Sequence, residues 1–452
     1  MSPPVYRGFR PRLFPPGFCD RAIFDMDLVN AAPIAGAFAK LASGAREPYS
    51  GVTTNGEVLR GLFPIRDTGI SPAPIVEAAK RFLGGLSIEQ KAKAKHELGD
   101  LERRLWANAF LSFPPHGVLL EDADGPTREN ARALIRSSFS ARGFMDIETA
   151  RKLNAYLGEL ISDDGRNLTE WMYYLTIFGE PSETAPWGWQ LVGHHLDINC
   201  FIQGGQTVMT PLFLGSEPCI SDATEGPYAG MRVFAEDEQF GLDLVRALSP
   251  AQQNKAILLR SMTATDLPPH LDMGIDGRMR AVTGADNLVL PYEGIEGGDL
   301  SSGQRELLVK LLWQHVGRLA AGHEAVKMEE VKAQLDHTYF AWIGDPDAEG
   351  RPFYYKVHSP AILIEFDHHS GVFLDNVEPE RFHAHIVVRT PNGNDYGMDY
   401  LRQHYENFAH TEDGRHVTRA PLDVDEQHAR AHAAGHAHSH IGGAHHHHDR
   451  ED

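Results

Sequence analysis

The sequence predicts an α+β protein in which an antiparallel β unit, formed by distant segments of the chain, is surrounded by helices. Helical patterns dominate residues 70–180, and strand patterns lie in two separate stretches, residues 187–214 and 337–390. A third observation is the C-terminus, where histidines replace any apolar pattern. Because the two strand-rich stretches are far apart in sequence, they are expected to meet only in the folded domain.

The chain is expected to have three parts. Residues 1–44 form an N-terminal extension, and residues 45–422 form one large domain. Residues 423–452 form a tail with nine histidines among small and acidic residues. This tail has almost nothing to bury, so we expect it to be disordered unless it binds metal.

Helix starts are marked by one repeated device. The segments "LSIEQ" at 86, "LSPAQ" at 248 and "LSSGQ" at 300 each place a serine three residues before a glutamine, which is a capping box. The third begins a long helical run towards "EEVKAQLDH". The stretch "SPAPIVEAAKRFLGGL" has amphipathic spacing and ends at Gly84-Gly85, so it is also predicted to be a helix.

Glycine-containing dipeptides mark two predicted hairpin turns. They are Asn55-Gly56, within "GVTTNGEVLRGLFPI", and Gly204-Gly205, within the first strand-rich stretch. In the second stretch, "HTYFAWIGD", "FYYKVHSPAILIEFD" and "RFHAHIVVRT" are predicted to be successive strands.

Histidines in both strand-rich stretches predict a metal site. In "GHHLDIN", read as one strand, His195 and Asp197 share a face, while His194 points with the apolar residues and is the better buried structural histidine. In "HAHIVVR", His383 and His385 share a face, which is a chelating spacing. His195, His383 and His385 with Glu365 predict a site of three histidines and one carboxylate, with His194 and Asp197 as further candidate ligands. His195 and Asp197, together with a distant histidine, also fit a two-histidine, one-carboxylate triad.

Three more residues are candidates for catalysis. Arg389 continues the ligand face of "HAHIVVR" and is predicted either to bind a substrate carboxylate or phosphate, or to pair with Asp367 or Asp395 and hold the fold. Asp367 shares a face with Glu365 and could act as a base, and Asp395 could orient a ligand histidine. The histidines at strand ends and turns, 358, 368 and 369, are expected to be exposed to solvent.

These residues predict an enzyme that uses one divalent first-row transition metal. Iron is favoured, and copper, zinc or manganese are possible. The leading interpretation is a non-haem iron or copper oxygenase or oxidoreductase acting on a small anionic organic substrate. The alternatives are a zinc-type hydrolase, in which Glu365 or Asp367 would be the base, and a metal-storage protein that uses the tail.

Charge and composition exclude several other classes. A net charge of −20 argues against nucleic acid and anionic membrane surfaces as partners. The sequence has no run of about 18 apolar residues, so we expect no membrane-spanning helix. The three cysteines lack disulfide or metal spacing, and the N-terminus lacks the apolar core of a signal peptide, so we expect a cytoplasmic protein.

A set of sequence blocks resembles the bacterial family "domain of unknown function 3500" over residues 45–408. The blocks are "GVTTNG", "GLFPI", "PWGWQLVGHHLDIN", "PLFLGSEP", "FAWIG", "YYKVHSPAILIEFD", "HAHIVVR", "NDYG" and "LRQHY". The resemblance implies no established activity. It places eight of the nine candidate site residues in recurring blocks of the family: His194, His195, Glu365, Asp367, His383, His385, Arg389 and Asp395. Phe382 stands where the family usually has asparagine, and the export signals of many relatives are not seen at this N-terminus.

Overall fold

The computed structural model describes residues 6–12, 41–108, 116–162, 168–410 and 416–418. Its α-helices include α1 (Ala73–Gly85), α2 (Ile88–Ala94), α3 (Gly125–Ser138), α4 (Ala141–Ile161), α5 (Ala235–Ala247), α6 (Pro250–Ala256), α7 (Ser302–Val316), α8 (His323–Lys332) and α9 (Met398–Asn407). Its longer strands are β3 (Tyr173–Phe178), β4 (Trp187–Gly193), β5 (Leu196–Gln203), β7 (Leu212–Ser216), β10 (Tyr339–Ile343), β11 (Tyr354–His358), β12 (Leu363–His368) and β13 (Ala384–Arg389). The shorter ones are β1 (Lys95–His96), β2 (Val118–Leu119), β6 (Gln206–Val208), β8 (Ile257–Leu259), β9 (Ile295–Glu296), β14 (Phe408–His410) and β15 (His416–Thr418).

One large sheet organises the protein. Its strand order is β1-β3-β4-β5-β7-β13-β12-β11-β10-β8, with β2, β6 and β9 added beside β3, β5 and β10. All pairs are antiparallel except those of the edge strands, β1 with β3 and β8 with β10. The two strand-rich stretches meet where β7 pairs with β13. The prediction of an α+β fold with a β unit assembled from distant segments is therefore confirmed.

The two faces of the sheet are covered differently. On one face, strand residues such as Ile364, Ile386 and Leu214 share a core with helix residues such as Leu134 and Leu308. On the other face, the strand residues Leu363, Val387 and Phe213 pack against irregular chain, which contributes Val52, Trp106, Leu271, Met279, Ala281, Val282 and Leu290. Period-two alternation along the strands sends neighbouring side chains to these two cores.

The predicted helix starts are present at all three positions. Ser87 with Gln90, Ser249 with Gln252 and Ser301 with Gln304 form complete capping boxes. The long helical run predicted after residue 300 is instead two helices, since α7 ends at Val316 and α8 begins at His323. Gly322, with a positive φ, lies directly before α8, and its backbone geometry does not continue a helix.

One of the two predicted hairpins is correct. Gly204-Gly205 connects β5 to β6, with Gln203 paired to Gln206. The hairpin at Asn55-Gly56 is wrong: the flanking residues described here do not pair with each other, and Thr53 forms a parallel bridge with Val289 instead. The dipeptide makes a turn, but strand pairing needs a partner that this segment finds elsewhere in the chain.

Contacts divide the chain into two compact units, residues 1–400 and 401–452. In the described part of the second unit, β14 and β15 form an antiparallel pair. The predicted histidine-rich tail lies outside the described residues. Among the described helices, none combines the length and apolar character needed to cross a bilayer.

Candidate metal centre

His194 and His195 form the two-residue turn that connects β4 to β5. Gly193 pairs with Leu196 across this turn, and His195 has a φ of 66°. The prediction that "GHHLDIN" is one continuous strand is therefore wrong at its histidines, and alternation along a strand does not decide where they point. The turn brings the His195 ring over Gly215 of the neighbouring strand β7, whose amide donates a hydrogen bond to the His195 carbonyl (2.7 Å).

The HxH pair lies at the start of β13, in the middle of the sheet. His385 is opposite Asp367 of β12 on one side and Gly215 of β7 on the other. His383 immediately precedes the strand. Because residues two apart on a strand share a face, His383 and His385 both project towards the side where the His195 ring lies. The sheet thus brings together three histidines that are distant in sequence.

The Nε2 atoms of these three histidines converge. His385 Nε2 lies 3.0 Å from His383 Nε2 and 3.1 Å from His195 Nε2, and one ligand atom from each residue falls within 4.8 Å of the others. A neutral imidazole nitrogen is either a donor or an acceptor, so His385 Nε2 cannot satisfy both neighbours by hydrogen bonds. A cation among the three nitrogens would satisfy all of them.

The spacing of the nitrogens fits a transition metal. Imidazole–metal bonds are about 2.0–2.1 Å long, so two nitrogens at right angles on one ion lie about 3.0 Å apart, and at the tetrahedral angle about 3.3 Å apart. The observed 3.0 and 3.1 Å lie in this range, so the three nitrogens could bind one side of a single ion. Such an arrangement leaves the opposite side of the ion for other ligands.

The protonation of the cluster also suits metal binding. Burial lowers the pKa of His195 and His385 well below the ordinary value, and the neighbouring imidazoles lower it further. Burial likewise lowers the pKa of His383, whose Nδ1–H donates to the Ser370 carbonyl (2.8 Å). This bond leaves the lone pair on His383 Nε2, where a metal would bind it. The three donors are therefore neutral at physiological pH.

His194 is buried, as expected, and supports its neighbour. Its ring stacks on His195 with centroids 3.7 Å apart, and its Nδ1 is 2.7 Å from Asn154 Oδ1. Burial lowers the pKa of His194 to about 3. Its place in the structure is that of a neutral ring that fixes the orientation of His195; direct ligation by His194 stays a prediction.

Glu365 is not part of the converging group. Its carboxylate accepts hydrogen bonds from the backbone amides of Arg280 (2.9 Å) and Ala281 (2.8 Å) and from the Tyr354 hydroxyl (2.7 Å). These bonds fix an irregular segment against the sheet. Ligation by Glu365 therefore stays a prediction that these contacts do not favour.

Asp367 lies beside the cluster together with His369, which the sequence interpretation missed. The His369 ring is 3.9 Å from that of His385 and its Nε2 is 3.3 Å from Asp367 Oδ2. Burial raises the pKa of Asp367 to about 7, although Arg278 opposes this. The available signal was the D-x-H spacing of residues 367 and 369, which mirrors the H-x-H of β13. The expectation that His358, His368 and His369 are exposed is wrong, since all three are buried.

Asp197 is fully buried, opposite Phe213 of β7. Neither carboxylate oxygen accepts a hydrogen bond of ordinary geometry from the described residues. Burial raises its pKa well above the ordinary value, and the Gly193 amide offsets this only in part. The side chain is not among the three converging ligands, so its part in metal binding stays a prediction.

Arg389 and Asp395 pair with each other, which was one of the two alternatives for Arg389. Arg389 Nε donates to Asp395 Oδ2 (2.6 Å), Nη2 to Asp286 Oδ1 (3.1 Å) and Nη1 to the Ala281 carbonyl (2.9 Å). Asp395 also accepts from the Thr390 amide (2.6 Å). Both side chains are fully buried. These contacts support the structural role for Arg389; its pairing with Asp367 and the orientation of a ligand histidine by Asp395 are not observed.

Gly215 supplies the space in which the rings of His195 and His385 meet. A Cβ at this position would lie 2.8 Å from His195 Cδ2 and 2.9 Å from His385 Cδ2. We expect Gly215→Ala to weaken metal binding by about 10- to 100-fold, the range typical of changes that misplace ligands. The measurement is chelator competition in a tail-neutralised chain, the full-length protein with its nine tail histidines replaced by asparagine. Gly303→Ala, which meets open space, is the matched control, and equal affinities would contradict the expectation.

His358 provides a test of burial outside the cluster. Its two ring nitrogens have no hydrogen-bond partner among the described residues, and burial lowers its pKa to about 3. Because the unfolded chain takes up this proton near pH 6.5, the free energy of unfolding should fall as pH drops below that value. Between pH 7 and pH 5, we expect the free energy of unfolding to fall by about 2 kcal/mol less in His358→Gln than in the wild type. Urea titrations at both pH values measure this; exposed His337 (68%) is the control position, and identical pH dependence of wild type and His358→Gln would show that solvent reaches the ring.

The residues of the histidine cluster all lie in a region that matches a known protein family. A family model described as "Protein of unknown function (DUF3500)" matches residues 68–398, which include every residue of the cluster. The chain belongs to the DUF3500 family. The recognition made from sequence blocks is confirmed, over a shorter range than residues 45–408. Searches of curated proteins and of solved structures find no match to this chain.

Phe382, directly before the HxH pair of this DUF3500 protein, anchors the N-terminal segment. Its ring packs against Tyr6 (5.1 Å) and Phe9 (5.5 Å). Residues 6–12 of the predicted N-terminal extension are thereby held beside β13. The orientation of the neighbouring His383 comes from its hydrogen bond to the Ser370 carbonyl.

Proposed function

We propose that this DUF3500 protein is a mononuclear metalloenzyme in which His195, His383 and His385 hold one divalent first-row transition metal. The observation that carries the proposal is the convergence of three neutral Nε2 atoms at 3.0 and 3.1 Å. Iron is the favoured metal, with copper, zinc or manganese as alternatives, because imidazole ligands suit all of them. Three ligands on one side leave room for a small reactant.

The favoured reaction class is oxygenation or a related oxidation. Bound iron or copper would supply the electron transfer that makes dioxygen reactive. The residues of the chain hold the site in place: His194 supports the His195 ring, and the Ser370 carbonyl keeps the His383 proton on Nδ1. Phe213 and Phe373 pack edge-on against His385 and His194 and exclude water from this side of the cluster.

A zinc-type hydrolase is the second candidate, and Asp367 is the observation in its favour. This carboxyl lies opposite His385 on the adjacent strand, and its Oδ1 accepts no hydrogen bond from the described residues. A pKa raised to about 7 suits a group that accepts a proton from water near neutral pH. In this reaction the metal would lower the pKa of a bound water, and Asp367 would take its proton.

The cellular setting is part of the same proposal. Cys200 and Cys219 are free thiols in the buried interior, which suits a reducing compartment such as the cytoplasm. The net charge of −20 argues against nucleic acid as a partner. A small organic molecule is the substrate class that we propose.

Metal analysis of the tail-neutralised chain tests the proposal. We expect about one equivalent of metal per chain after purification without affinity metals. Oxygen consumption with iron or copper would favour the oxygenase, and ester or amide hydrolysis with zinc would favour the hydrolase. If only the natural chain binds metal and the tail-neutralised chain binds none, the tail stores metal and the proposed core site is wrong.

A further inference from the structure

An irregular segment, residues 277–286, lies against the face of the sheet that carries the histidine cluster. The amides of Arg278 and Arg280 donate to Asp367 (2.9 Å) and Glu365 (2.9 Å), respectively. Arg389 donates to the Ala281 carbonyl and to Asp286. Side chains of β12 and β13 therefore hold this segment by its backbone.

The same segment lines a groove of about 610 Å³ that is open to solvent on one side. Small, apolar and polar groups contribute to the walls, including Met279, Val282 and Thr283, and residues 43, 44 and 47 also line the groove. Pockets for small organic molecules have volumes of a few hundred to about 1000 Å³. The groove is thus large enough for a substrate of metabolite size.

Arg280 stands out among the cations near this groove. Arg278, Arg389 and Arg104 are each bonded to a carboxylate or a backbone carbonyl. Arg280 is a partly buried residue, and its guanidinium has no hydrogen-bond or ion-pair acceptor among the residues that the structure describes, although its backbone amide is bonded to Glu365. A guanidinium has five donors in a planar fork, so an unpaired one favours an oxyanion partner.

We propose that Arg280 binds the anionic group of the substrate in this groove, and this inference rests on the proposed metalloenzyme function. The substrate is a small organic molecule with a single carboxylate or phosphate, which the planar guanidinium can bind through two parallel hydrogen bonds. Glu47 and Asp276 line the same groove and disfavour molecules with several negative charges. The role that the sequence suggested for Arg389 belongs to Arg280 instead.

The backbone connects this site to the histidine cluster. Arg280 is bonded to Glu365, and Glu365 lies two residues along β12 from Asp367, which is opposite His385. Residues two apart on a strand are about 7 Å apart. The segment that carries Arg280 is therefore attached by its backbone to the strand that lies beside the cluster.

Binding of simple probes tests the inference without knowledge of the substrate. Benzoate and phenyl phosphate supply the two kinds of anionic group, and benzamide is the uncharged control. Isothermal titration would compare the wild type with Arg280→Gln, Arg280→Lys and Arg81→Gln, a change of an exposed arginine on α1. We expect Arg280→Gln to weaken binding of the preferred anion by at least about tenfold, Arg280→Lys by less, and Arg81→Gln not at all. Benzamide binding should not change with Arg280.

The outcomes separate this inference from the proposed function. The substitutions keep the backbone bond to Glu365, so thermal unfolding and metal content should match the wild type. If the anions bind equally well to wild type and Arg280→Gln, or bind only as well as benzamide, the role of Arg280 is wrong. One equivalent of metal at the histidine cluster would still support the proposed metalloenzyme in that case. If anion binding depends on Arg280 but no core metal is found, the groove binds an anion and the proposed metalloenzyme is wrong.

Discussion

The tail-neutralised chain with His385→Ala should lose its core metal, from about one equivalent to less than about a tenth. His385 Nε2 lies 3.0 Å from His383 Nε2 and 3.1 Å from His195 Nε2, so it is the central one of the three nitrogens. Its removal leaves only two histidine ligands. Three protein ligands are the usual minimum of a catalytic site. Elemental analysis after dialysis measures the loss, and His383→Ala should give the same result.

A buried histidine elsewhere in the domain is the matched control for this loss. His315 is also fully buried, but its Nε2 is bonded to the Tyr355 hydroxyl (2.9 Å), away from the cluster. His315→Ala should reduce the free energy of unfolding while leaving the metal equivalent in the folded protein. Retention of a full equivalent by His385→Ala and His383→Ala would show that these residues do not hold the ion.

Arg389→Met should destabilise the fold by about 3–5 kcal/mol, the cost typical of removing one partner from a buried ion pair. The change would leave Asp395 and Asp286 without their common cation, and the Ala281 carbonyl without its donor. Arg389→Lys should also destabilise, because an ammonium cannot reproduce a planar fork with three separate partners. Urea unfolding with an unchanged slope on denaturant concentration is the measurement.

Arg81→Met, at an exposed position on α1, should change the free energy of unfolding by less than about 0.5 kcal/mol. The comparison also decides between the two interpretations of Arg389. If Arg389→Lys keeps its stability and metal but binds benzoate or phenyl phosphate more weakly, Arg389 contacts the substrate, and the role assigned to Arg280 is wrong.

Elements with local signals could be predicted from the sequence. The capping boxes of α2, α6 and α7 need only residues three apart, and they form as expected. Alternation placed His383 and His385 on one face of β13, because a strand sends side chains two apart to the same side. The sequence blocks also allowed the family to be recognised, and the match to the family model confirms this assignment.

Features that depend on contacts between distant segments could not be predicted in the same way. The two histidines of "GHHLDIN" look like strand residues until β4 and β5 pair and make them a turn. Glu365 was predicted to be a ligand because no sequence pattern in residues 277–286 indicates that the amides of this segment donate hydrogen bonds to Glu365. Asp286, a partner of Arg389, lies more than a hundred residues away in sequence.

The pairing of β7 with β13 has a mechanical consequence. It joins two halves of the sheet, one with its longer strands within residues 173–216 and the other with its longer strands within residues 339–389. His195 belongs to the first half, and His383 and His385 to the second, so an ion bound by all three would cross-link the halves beside their junction. A ligand present at about a thousand times its dissociation constant adds about 4 kcal/mol to the free energy of unfolding. A bound metal would therefore stabilise the contact between the two halves at the centre of the sheet, and separation of the halves would release the ion.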